Sequence, residues 1–174
     1  ITEPSSDQFD NIFNKLLLNI EELFSMLIDN KKEEDFEEIE RQIQKFDNFC
    51  RRVTSKTEKE EKAKLRYAFH NELIHAQREI YFAIKYVSSK KISLEKKLLD
   101  LVKESFHLFK LLKDSYQKND ISLLEKIHEK EKEVIYKKGY KLLESTKEPS
   151  LVYHIMSSVR NFYLSSSPLI GLSL

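Results

Sequence analysis

The sequence predicts an all-α protein, a six-helix bundle built from two three-helix repeats. Three observations carry that reading. Apolar residues recur three and four apart through most of the chain, the spacing of one face of a helix. Only two glycines and three prolines occur in 174 residues, too few for the turns of a strand-rich fold. The apolar pattern is also written twice: Phe13, Leu16, Leu17, Ile20, Leu23, Phe24 and Leu27 return at one constant offset as Leu98, Leu101, Val102, Ser105, Leu108, Phe109 and Leu112. A weaker echo sets Ile39, Ile43 and Cys50 against Leu123, Ile127 and Val134. A third sets Leu73, Ile74, Arg78, Tyr81 and Phe82 against Ile155, Met156, Arg160, Tyr163 and Leu164. The repeats are expected at 1–90 and 91–174, sharing one compact domain.

Helix one is expected from Ser6 or Asp7, either of which can cap it, to Asp29, with Asn30-Lys31-Lys32 as the turn. Helix two should run from Glu34 to Val53 and carry Phe36, Ile39, Ile43, Phe46 and Cys50 on one face. Thr54 to Thr57 reads equally as a loop or as a continuing helix. Helix three is expected from Glu58 to Val87, and Ser88-Ser89-Lys90-Lys91 forms the boundary between repeats. Ser93 opens helix four, which runs to Tyr116 and closes at Gln117-Lys118-Asn119. Asp120 caps helix five, which extends towards Leu143 past Gly139, an interior glycine costing ~1 kcal/mol relative to alanine. Glu148-Pro149-Ser150 breaks the chain, because proline is tolerated at a helix start and not inside one. Helix six then runs from Ser150 to Leu164. The tail, Ser165 to Leu174, lacks helical periodicity and is expected as a frayed end or an apolar strap, with a docking segment for another protein as the alternative.

Charge narrows the function classes. Thirty basic residues face 29 acidic ones, a formal net charge of +1. Lysines alternate with glutamates, as in the run from Glu125 to Glu133, which reads as a solvated helix face and not as a nucleic-acid stripe. The single cysteine, Cys50, rules out an internal disulfide and falls in core phase, as a small buried hydrophobe would. No stretch approaches the ~20 apolar residues of a membrane span, and the first residues lack a signal core, so a cytoplasmic protein is expected. There is no phosphate-binding glycine loop, no Cys/His zinc spacing and no nucleophile with a base nearby, so no catalysis is expected.

Three Glu-x-x-His pairs remain: Glu72 with His75, Glu104 with His107, and Glu125 with His128. On a helix this spacing puts both side chains within reach of one metal ion, and di-iron bundles use it twice. Glu125 and His128 lie in a charged stretch, and His107 sits near the edge of its apolar stripe. Glu72, His75 and Glu79 lie beside the helix-three core stripe of Leu65, Phe69, Leu73, Ala76, Ile80 and Ala83. A carboxylate at a core edge needs a partner, since burying it alone costs several kcal/mol. Either Arg78, Lys85 or a tyrosine hydroxyl meets these acids, or they hold a single iron, zinc or manganese ion.

The doubled three-helix pattern, from about Phe9 to Leu164, resembles the PhoU family and the related Pit accessory proteins. Helix one resembles the family's opening amphipathic helix. The segment Ile39 to Phe49, with the acid Asp47, resembles its second helix, and Phe69 to Val87 falls where its third lies. Asn119-Asp120 then enters a helix containing Glu131 in the second repeat. The family's hallmark is an acid followed four residues later by Asp in the third and sixth helices, resembling a metal-cluster site. This sequence offers His75 with Glu79 or, in another register, Glu72 with Ala76; at the matching places in helix six it has Ser157 and Asn161. The resemblance therefore implies at most one residual metal site, at Glu72, His75 and Glu79. It implies a regulatory or accessory protein of phosphate uptake, held at the membrane through a phosphate transporter or its regulatory kinase. A ferritin-like oxidase using the Glu-x-x-His pairs is the alternative from another class. A structural bundle that only homodimerises is the third.

Overall fold

The structure, a computed structural model, describes residues 6–29 and 35–173. Among them the chain is a helical bundle without β-strands. Its elements are α1 (Ser6–Asp29), α2 (Phe36–Thr57), α3 (Glu60–Lys90), α4 (Lys96–Lys118), α5 (Ser122–Lys132), a π-helical turn (Glu133–Gly139), α6 (Tyr140–Ser145) and α7 (Pro149–Ser173). The fifth, π and sixth segments follow without a break and make one rod. The expected turn at Asn30-Lys31-Lys32, the start at Glu34 and the cap at Ser6 or Asp7 lie outside the described residues and side chains.

Neighbouring helices run antiparallel, and side-chain pairs fix their register. Asn14 and Glu21 of α1 meet Gln117 and Lys113 of α4. Asp47 and Glu58 on α2 and its cap meet His70 and Arg66 of α3. The largest interface joins α3 and α7, where Tyr86 donates to Glu148, Glu79 meets His154, and Gly171 abuts Leu65. Both apolar rows that the sequence pairs are buried along their whole length. They feed one continuous core, in which Phe24 stacks on Phe106 and Phe109 and packs against Phe162. Truncating such a buried ring to alanine costs about 3–5 kcal/mol.

Helix ends follow local chemistry. Asp35 caps α2, its carboxylate accepting from the Glu38 N–H at 3.1 Å. Thr54 to Thr57 continues that helix, with Thr54 buried and the Thr57 hydroxyl donating to the Val53 carbonyl. Lys91 and Asn119 close α3 and α4 in the left-handed conformation, at φ of 53° and 52°. Asparagine tolerates that region; lysine does so at a cost of about 1 kcal/mol. Helix four starts at Lys96 and not at Ser93, because Ile92 and Leu94 are drawn onto the core and hold the segment before it extended.

Two features depart from the sequence reading. The first is the tail, which is helical to Ser173 with Pro168 inside the helix. Proline gives no N–H to the carbonyl four residues back. Even so, Ser165 and Ser166 are buried and donate to the Phe162 and Tyr163 carbonyls, and Leu169 is buried beyond the proline. Packing along α3, which at 31 residues is about 46 Å long, overrides a weak local preference. At Gly171 a Cβ would stand 3.0 Å from the Leu65 side chain, which would have to give by a few tenths of an ångström to admit it.

The second departure is the π turn. Ile127, Glu131 and Val134 set the inward phase of the rod, and the next inward places at spacings of four and three would be Lys138 and Lys141. The wider turn shifts the phase by one residue, so that Ile135 and Gly139 are buried and Leu142 packs on the core. Gly139 touches α7 so closely that a Cβ would lie 2.7 Å from the Met156 sulfur. Lys137, Lys138 and Lys141 are thereby turned outwards.

Candidate functional site

The expected metal residues do not converge on one point. Glu72 is half-buried, His75 is exposed, and Glu79 is half-buried with its Oε2 at 2.7 Å from Nδ1 of His154 on α7. The partner of Glu79 is thus a histidine from a distant helix, and neither Arg78, Lys85 nor a tyrosine. Among the other Glu-x-x-His residues, Glu104 is held by two lysines, His107 and Glu125 are exposed, and the exposed His128 packs its ring on Tyr163. Among the described residues no three His, Cys, Asp or Glu side chains are grouped to hold a metal ion.

Three acids are buried among the described residues: Glu40 accepts only from the Gln44 amide, whereas Asp47 and Glu131 are each met by an arginine. Asp47 accepts from Arg51 Nε at 2.7 Å and lies 3.2 Å from His70 Nδ1. His70 is buried among Phe9, Phe13 and Phe69, and its Nε2 has no partner among the described residues. Burial lowers its proton affinity, while the Asp47 hydrogen bond and charge work in the opposite direction and are outweighed. Glu131, only 1% exposed, accepts from Arg160 Nη1. The nearby thiol of Cys50 is buried and pushed up to about 12, as expected of a structural cysteine.

A groove able to receive a ligand lies elsewhere. It measures about 620 Å³ and opens between the first half of α4 and the end of the rod formed by α5, the π turn and α6. Half-buried Leu142 forms the accessible part of its apolar floor, over the core residue Leu101, and Lys97, Lys103, Lys137, Lys138 and Lys141 surround it. Two carboxylates, Asp100 and Glu104, share the lining. Glu104 is already engaged: Lys138 Nζ lies 2.5 Å and Lys130 Nζ 2.8 Å from its oxygens. Partial burial pushes this carboxyl up, but the hydrogen bonds from Lys130 and Lys138 outweigh it and hold the group below its ordinary value. Lys138 also meets Glu133 at 2.8 Å, and its two carboxylate partners, Glu104 first, raise its own proton affinity. Lys97, Lys103, Lys137 and Lys141 form no ion pair with any described residue. The groove therefore carries a surplus of ammonium groups without an ion-pair partner among the described residues, over a small apolar floor.

No described helix is long and apolar enough to cross a membrane. No family model, curated protein or solved structure matches the chain.

Proposed function

We propose that the chain is a PhoU-like accessory protein of phosphate uptake. In this reading it acts without catalysis, through contact with a phosphate transporter or its regulatory kinase at the cytoplasmic face of the membrane. The observation that supports it is the burial of the two acids, Asp47 of α2 and Glu131 of α5. They stand at the same place in the sequence echo that pairs Ile43 with Ile127 and Cys50 with Val134. Each is met by the helix that would be third in its repeat: Asp47 by His70 of α3, and Glu131 by Arg160 of α7. The echo pairs the acids but not their partners, since Val152 stands where His70 would and Arg78 where Arg160 would; what recurs is a buried acid met by the third helix.

Deleting the gene and following radiolabelled phosphate uptake at low and high external phosphate tests this reading. Uptake that no longer responds to external phosphate is the expected result; an unchanged response contradicts it. The residual metal site belongs to the same proposal. It rests on the two half-buried carboxylates of α3 and on His154, whose imidazole reaches Glu79. Elemental mass spectrometry of protein purified without chelators should find iron, zinc or manganese, lost in the Glu72→Ala/His75→Ala/Glu79→Ala variant. Metal content that persists in that variant removes the site.

A further inference from the structure

We propose that the lysine-lined groove binds a small organic polyphosphate of nucleoside triphosphate size, with the phosphates among the lysines and the organic end on Leu142. Four observations lead there. The volume of about 620 Å³ lies within the range of small-molecule sites, about 300–1,000 Å³. Lys97, Lys103, Lys137 and Lys141 offer ammonium groups with no ion-pair partner among the described residues, opposed only by Asp100 once Glu104 is engaged. Such a set matches the charge of a triphosphate, for which lysine serves as a point-charge ligand. The apolar floor gives a base or sugar a surface that an inorganic anion would not use.

The fourth observation is that the fold bears a cost to assemble this charge. Helix α4 places the groove residue Lys97 in a first turn without acids, with Glu95 at the N-cap as the only nearby compensation, whereas α2 and α3 open with glutamates. Cations at a helix N-terminus oppose the macrodipole by roughly 0.3–1 kcal/mol each, and a bound anion reverses that sign. The π turn adds to it, because the phase shift that buries Gly139 also delivers Lys137, Lys138 and Lys141 to the groove. Turns of this kind recur at functional sites.

The assignment rests on the groove alone, so loss of nucleotide binding and loss of phosphate-responsive uptake are separable results. Isothermal titration of the full chain with ATP at low ionic strength should give saturable binding of one ATP per chain that weakens as salt rises. Lys97→Ala and Lys141→Ala should each weaken it about tenfold, the effect of one charge-assisted contact. Lys15→Ala, on the exposed face of α1, should leave it unchanged, and circular dichroism of each variant confirms that the bundle is folded. Absence of saturable binding at millimolar ATP overturns the proposal. So does equal weakening by Lys15→Ala, which would mark general attraction to a polycation. Tripolyphosphate binding as tightly as ATP overturns the organic assignment, because Leu142 would then contribute nothing.

Discussion

Replacing Gln77 by leucine should stabilise the fold by about 2 kcal/mol. Gln77 lies mid-way along α3 with no exposed surface, and neither its Nε2 nor its Oε1 has a hydrogen-bond partner among the described residues. Each unsatisfied buried polar group costs about 1–3 kcal/mol, and a primary amide has two such ends. Leucine has one heavy atom fewer, so imperfect filling returns up to about 1 kcal/mol, as shape changes in a packed core do. Helix propensity does not decide the outcome, since the two residues rank close together. For a chain of this size the net gain corresponds to a rise of about 4–8 °C in Tm. Urea denaturation followed at 222 nm should show the midpoint moving up with an unchanged slope. A variant that keeps the native spectrum yet loses 1 kcal/mol or more would refute the reasoning, for the amide would then be making contacts worth more than its burial costs.

Three further outcomes follow from other buried or strained groups. Burial lowers the proton affinity of His70 beside Asp47, Arg51 and Arg66, so the unfolded chain binds a proton there at higher pH than the folded one. Stability from this residue is complete above the ordinary histidine value and falls as pH drops below about 6.5, by at most about 1.4 kcal/mol per pH unit. Urea midpoints at pH 7.5 and 5.5 should therefore diverge more for the native chain than for His70→Asn, and equal divergence would remove His70 as the cause. Arg160→Ala leaves the Glu131 carboxylate buried without its partner and should cost about 3 kcal/mol; a loss below 1 kcal/mol would mean that the carboxylate finds other contacts. Lys91→Gly relieves the left-handed conformation at the end of α3 and should stabilise the fold by about 1 kcal/mol, read as a raised urea midpoint, whereas a lowered midpoint would show that the lysine side chain matters more than its backbone.

Much of the helical architecture was legible because burial leaves a periodic trace. The paired rows from Phe13 to Leu27 and from Leu98 to Leu112 predicted which faces turn inwards, since seven positions at spacings of three and four fit no strand. The tail was not legible. Ser165-Ser166-Ser167-Pro168 carries local signals against a helix, and what holds it, packing along α3, is a contact between residues a hundred positions apart. The long-range pairs were hidden for the same reason: Glu79 gives no sign in the sequence that His154 will be its neighbour. Asp47 and Glu131 left a trace only through their shared place in the echo. The groove was the least legible feature. Lys137, Lys138 and Lys141 follow the alternating Lys/Glu run and carry no signal of their own, and only a phase slip marks the π turn, from Ile127, Glu131 and Val134 to Ile135, Gly139 and Leu142. Glycine at position 139 was noted for its cost, and the structure supplies the reason, the close approach of Met156.

Site-resolved acetylation of lysines, read by mass spectrometry with and without ATP, tests the central assignment most directly. In the free protein Lys97, Lys137 and Lys141 should react quickly, while Lys130 and Lys138 should react slowly because Glu104 holds their ammonium groups. ATP should protect the first three and leave Lys15 unchanged. Equal reactivity of all these lysines, with no residue in the groove protected by ATP, would contradict it.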